Sequence, residues 1–131
     1  MILDVAVAPT PMATIGEIES GLPLAALEQV TQALAPDDAK FRYQIVPKAT
    51  WTRRQRSQRL SPAEREIVAR LARVWDRTMD VYHDADAAGR FLHAPHPLLD
   101  GRTPVDVARS TGAGAQLVED ILGRLEHGSV L

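Results

Sequence analysis

Four histidines, a run of arginines and a short Gly-Ala repeat are the residues whose types and spacing can do chemistry in this chain of 131 residues. His83, His93, His96 and His127 raise the question of a metal. His93 and His96 are three apart, but prolines between and beside them prevent a shared helical face, and no carboxylate constellation completes a site. We read all four as loop or surface histidines and expect no metal. Ser110 and Thr111 form no recognisable nucleophile–base pattern with them. Gly112-Ala113-Gly114-Ala115 faintly suggests a phosphate loop, but it lacks the Lys-Ser/Thr of a P-loop and the strand of a dinucleotide fold. The absence of cysteine removes disulfides, thiolate metal sites and a cysteine nucleophile. No catalytic residue and no cofactor are expected, so the chain reads as something other than an enzyme.

Charge is the sharper signal. The formal net charge of -2 conceals a segregation along the sequence. Residues 1–38 carry six acids (Asp4, Glu17, Glu19, Glu28, Asp37, Asp38) and no Lys or Arg. Residues 39–63 carry seven cations (Lys40, Arg42, Lys48, Arg53, Arg54, Arg56, Arg59) and no acid. A segment so purely basic is a candidate phosphate-contacting surface, unless the preceding acidic segment matches it internally.

The elements that must position these residues are helical. Hydrophobic residues at 45% suffice for a globular fold, and aromatics at 5% make its core mostly aliphatic. No apolar run is long enough to span a membrane and no basic leader precedes an apolar segment, so a soluble, cytoplasmic protein is expected. Residues 1–10 read as a loose arm and Met12–Ser20 as a short helix. Pro23 opens a helix with Leu24, Leu27, Val30 and Leu34 at helical spacing. Pro36 with Asp37 and Asp38 should start another, through Gln44, since acids favour the amino end. After Ile45-Val46-Pro47, Thr50 can cap a helix carrying Arg53, Arg54 and Arg56. Two short helices around a tight apolar turn outline a helix-turn-helix.

Ser61-Pro62-Ala63-Glu64 is a capping box with proline in the first turn. The helix it starts should run to about His83, with Ile67, Leu71, Val74, Thr78 and Val81 on one stripe and Val68, Trp75, Met79 and Tyr82 widening it. Glu66 with Arg70 makes a favourable i, i+4 pair, and Arg73 with Arg77 a repulsive one. A short helix after Asp84 places Ala88, Phe91 and Leu92 inward and ends before Pro95 and Pro97. Asp100-Gly101 then supplies a turn, and Thr103-Pro104 reads as an N-cap with proline at the first helical position. A last helix follows Thr111-Gly112, with Leu117, Val118, Ile121, Leu122 and Leu125 making one apolar face and Gly128 as a left-handed cap.

The pieces "HPLLDGRTPVDVA" and "GAGAQLVEDILGRLEHG" resemble the C-terminal domain of the Xre/MbcA/ParS antitoxins, whose toxins carry a RES domain. "LSPAEREIVARLARV" and "RFLHAPHPLL" fit the same family upstream. The resemblance is strongest over Leu60–Gly128, weaker over residues 21–59 and absent over residues 1–20. It implies that Lys48, Thr50, Thr52, Arg53, Arg54 and Arg56 lie on or beside a DNA-recognition helix. It also implies that Leu125, His127, Gly128, Ser129, Val130 and Leu131 enter a toxin that acts on NAD and block its pocket. The terminal carboxylate can then pair with arginines that would otherwise grip the NAD pyrophosphate.

The expectation is therefore an all-α protein. Residues 1–20 form an arm with a short helix, residues 21–59 a helix-turn-helix-like domain, and residues 60–131 a long central helix with a C-terminal helical toxin-binding module. As an antitoxin it would bind a cognate RES-domain toxin, homodimerise within the complex and contact operator DNA. The competing reading is a stand-alone transcriptional regulator with a helical dimerisation domain.

Overall fold

The structure, a computed structural model, describes residues 23–128. The expected arm at 1–10, the helix at Met12–Ser20 and the segment Ser129–Leu131 lie outside these residues. Among the described residues the fold is all-α, as expected: α1 (Leu24–Leu34), α2 (Lys48–Ser57), α3 (Pro62–Tyr82), α4 (Ala85–His93), α5 (Pro104–Ser110) and α6 (Gly112–Glu126). Two 3-10 turns, Phe41–Gln44 and Pro97–Leu99, join them. The chain divides into two compact units between Ala69 and Arg70, inside α3.

In the first unit, α1 buries Leu24, Ala26, Leu27, Val30 and Leu34, the i, i+3, i+4 pattern of a single apolar face. The expected helix from Pro36 to Gln44 is not formed. Asp38 donates its backbone N–H to Ala35 O at 3.2 Å, and its carboxylate accepts the Lys40 N–H at 3.0 Å. This turn chemistry captures the donors that a helix start would need. Only the 3-10 turn at Phe41–Gln44 remains, with Phe41 buried. The cap of α2 also differs from expectation. The helix begins at Lys48 with Pro47 as its N-cap residue (φ -52), and Thr50 lies in the first turn, its N–H donated to Pro47 O at 2.8 Å. Proline this close to a helix start removes no intrahelical bond. Gln58, left-handed at φ 56, ends α2, and Leu24 donates its N–H to Gln58 O at 3.0 Å.

The capping box that starts α3 forms as the sequence predicts. Ser61 N–H donates to Glu64 Oε1 at 2.9 Å, and Glu64 N–H donates to Ser61 Oγ at 3.3 Å. On the predicted stripe Leu71, Val74 and Thr78 are buried, while Ile67 and Val81 are half-buried. Thr78 is tolerated in the core because its hydroxyl donates to Val74 O at 2.7 Å.

In the second unit, Asp84 caps α4 by accepting the Ala87 N–H at 2.8 Å. Phe91 is half-buried, its ring 5.6 Å from Tyr82 and 6.1 Å from His96. Asp100 and Gly101, at φ 55 and 81, make the expected turn. Thr103 Oγ1 accepts the Asp106 N–H at 3.2 Å and Pro104 is the first residue of α5. Thr111 Oγ1 accepts the Gly114 N–H at 2.8 Å and so caps α6. Gly128, at φ 73, follows the end of α6 and donates its N–H to Leu125 O at 3.2 Å.

The face of α6 differs from expectation at one end. Val118, Ile121 and Leu122 are buried and Leu125 half-buried, but Leu117 is 54% exposed. Gly114 and Ala115 complete the buried face instead. A side chain at Gly114 would collide with the carbonyl oxygen of Val107, so α5 and α6 approach backbone to backbone there. That approach fixes the phase of α6 and turns Leu117 outward.

Candidate functional site

The basic run of the sequence resolves on α2 into two environments. Lys48, Thr52, Arg53 and Arg56 are exposed, and Thr50 is half-buried. None of the exposed cations sits beside an acid on α2 itself, because Lys48–Ser57 contains none. Arg54 stands apart. Its Nε and Nη2 donate to the two carboxylate oxygens of Glu64 at 2.6 and 3.1 Å. Burial alone would raise the Glu64 carboxyl, but the Arg54 fork and the Ser61 backbone N–H hold it below the usual carboxylate range. Donating these hydrogen bonds to Glu64 correspondingly raises the Arg54 guanidinium. By sequence alone Arg54 groups with Arg53 and Arg56. The available signal was Trp51, buried and three residues earlier, which puts Arg54 on the inward face.

Before α2, Arg42 lies over the Trp51 ring at 5.0 Å and Lys48 over the Tyr43 ring at 6.0 Å. Tyr43 meets Trp51 edge-on at 6.1 Å. The turn leading into α2 is therefore held by aromatic and cationic groups together. It keeps Lys48 at the start of the helix.

A second surface lies in the unit from Arg70 onward. Arg73, Arg77, Gln116, Asp120, Gly123, Arg124 and His127 are among the residues lining an open trough. Arg73 donates to Glu119 at 3.1 Å, and Arg77 grips both oxygens of Glu126 at 2.8 Å. The expected repulsion between Arg73 and Arg77 is thus offset by one acid each on α6. Arg70 directs its guanidinium to Ala108 O at 2.8 Å and Arg109 O at 2.6 Å, covering carbonyls in the last turn of α5. Asp106 takes Arg102 at 2.7 Å and Arg109 at 2.6 Å, and these two arginines lower its carboxyl.

Of the residues expected to meet a toxin, Leu125 is half-buried, while His127 and Gly128 are exposed. Ser129, Val130 and Leu131 fall outside the described residues. His83 and His93 are exposed, and His96 Nδ1 accepts the Leu98 N–H at 3.1 Å, so it caps a turn. Among the described residues, no three His, Asp or Glu side chains gather as a metal site. No helix there is long and apolar enough to cross a membrane.

A two-unit helical chain with a cationic helix in its first unit and a capped α5–α6 hairpin in its second has counterparts among known proteins. Residues 13–73 match the antitoxin Xre-like helix-turn-helix domain, and residues 77–128 match the antitoxin Xre/MbcA/ParS C-terminal toxin-binding domain. The chain therefore carries an Xre-like helix-turn-helix domain followed by an Xre/MbcA/ParS-type toxin-binding domain. Antitoxin Xre of Yersinia enterocolitica is 38% identical to it over 85 residues, which cover 63% of this chain. The matched region spans 57% of that relative's length.

Proposed function

We propose that this chain neutralises a RES-domain toxin that acts on NAD, binding it through the second unit and covering its NAD site. The observation that carries the reading is the match of residues 77–128 to a toxin-binding domain, a stretch that runs from the end of α3 through α6. The sequence pattern from Pro97 to Gly128 supports a RES-type partner in particular. Leu125, His127, Gly128 and the following Ser129, Val130 and Leu131 are the residues proposed to block the pocket. Blocking is steric: the chain occupies the site and contributes no reacting group. We further propose that it homodimerises within the complex, that it works in the cytoplasm, and that α2 contacts operator DNA through Lys48, Thr50, Thr52, Arg53 and Arg56.

The test is co-expression with the product of the adjacent gene in a bacterial host. The expected outcome is growth arrest by that product alone, restored cellular NAD and growth when both are made, and a complex that co-purifies. No toxicity and no complex would overturn the antitoxin reading. The exposed cationic face of α2 would then favour a stand-alone regulator, recognised by tight DNA binding that falls steeply with salt and needs no partner.

A further inference from the structure

Arg53, Arg54 and Arg56 are neighbours in sequence but not in surroundings. Arg53 and Arg56 are exposed on α2, whereas the Arg54 side chain is 16% exposed and forked onto Glu64. Glu64 is itself 7% exposed. Its carboxylate also accepts the Ser61 N–H, so one group both closes the start of α3 and clamps α2. Two parallel bonds to a planar guanidinium fix orientation as well as distance, which one bond to an ammonium cannot do. Trp51, buried one turn earlier on the same face of α2, supplies a second fixed point. A guanidinium whose fork is occupied and whose charge is matched offers little to a phosphate. Counterion release on binding must come from the exposed cations Lys48, Arg53 and Arg56.

Resting on the proposed DNA contact of α2, we propose that Arg54 and Glu64 are positioning residues for it. Neither touches the nucleic acid. Together they set how α2 presents Lys48, Thr52, Arg53 and Arg56 to a DNA groove. This inference predicts an effect opposite in sign to simple electrostatics. Glu64→Gln removes an anion near a cationic surface and leaves Arg54 an unmatched cation. Charge alone would strengthen DNA binding; loss of positioning weakens it.

The experiment uses the full chain and a fluorescein-labelled duplex from directly upstream of its reading frame, with a scrambled duplex as control. Anisotropy is titrated at several salt concentrations, and circular dichroism melts confirm that each variant is folded at the assay temperature. Glu64→Gln and Arg54→Lys should each bind about tenfold more weakly. Arg54→Lys keeps the charge and most of the length, so it serves even where Glu64→Gln folds poorly. It should also leave the slope of log affinity against log salt unchanged, whereas Arg53→Ala and Arg56→Ala should each lower that slope by about one. Binding of Glu64→Gln or Arg54→Lys at wild-type strength or tighter would overturn the positioning role alone. Wild-type chain that binds neither duplex would overturn the DNA-contact reading, and the positioning role with it.

Discussion

Arg77 holds both carboxylate oxygens of Glu126 at 2.8 Å, joining α3 to the last turn of α6 inside one unit. That hydrogen bonding raises the Arg77 guanidinium and lowers the Glu126 carboxyl. The two groups are forty-nine positions apart in sequence. Because the pair is solvent-accessible, its worth to global stability is small, while its effect on the end of α6 is local. Arg77→Ala should therefore move the urea denaturation midpoint only slightly. Amide hydrogen exchange at Leu125, Glu126 and His127 should nonetheless speed up clearly. Unchanged protection there would show that packing alone holds the helix end.

Gly114 faces the carbonyl oxygen and a methyl of Val107, with no room for a Cβ. Gly114→Ala should therefore destabilise the protein by about 1–3 kcal/mol through overpacking. Gly89, inside α4 with nothing within 4 Å of a would-be Cβ, gives the opposite expectation. Gly89→Ala should stabilise by about 0.5–1 kcal/mol, since alanine is the better helix former. Paired denaturation curves decide it; equal effects at the two glycines would contradict the close approach of α5 and α6.

Two threonines close helix starts in the second unit, Thr103 for α5 and Thr111 for α6. Thr111→Ala should cost about 1 kcal/mol, because the Gly114 N–H loses its acceptor. Thr111→Ser should recover most of it. A serine variant no better than alanine in thermal melts would point to the methyl group and not the hydroxyl.

Glu64 gives the acid side of the stability profile a specific cause. Its carboxyl is held below the usual range in the folded chain, so the unfolded chain binds that proton more readily. Its contribution is fully present above the ordinary glutamate value of about 4.3 and is lost as pH falls through the folded value. Glu64→Gln should be less stable than wild type near neutral pH, and the gap should narrow on acidification below about pH 4. A gap constant with pH would assign the loss to altered packing rather than to the ion pair.

What the sequence made legible was local. Ser61 with Glu64, Thr103 with Pro104, Asp100 with Gly101, and Gly128 each act on backbone groups within a few residues, so type and spacing determine the outcome. Arg54 and Arg70 were harder, because their acceptors are ten and thirty-eight or more positions away. Local spacing suggested Glu66 for Arg70, but its guanidinium goes to carbonyls of α5. The segment before Phe41 failed for a related reason: Asp38, acting through its own side chain, favours a turn over the helix its charge suggests. Periodicity alone puts Leu117 on the apolar face of α6, but the phase of that helix is set by Gly114 against Val107, a contact between helices that periodicity does not encode.

The chain's two tryptophans fall one to each unit, Trp51 in the first and Trp75 in the second. Both are largely shielded from solvent, and Trp51 has the Arg42 cation against its ring. The protein thus carries a separate intrinsic fluorophore for each half. Replacing either indole by phenylalanine leaves a single emitter, so the two halves can be watched in turn as they melt. Coincident transitions would make α3 the spine of a single cooperative fold; separated ones would give each half its own stability.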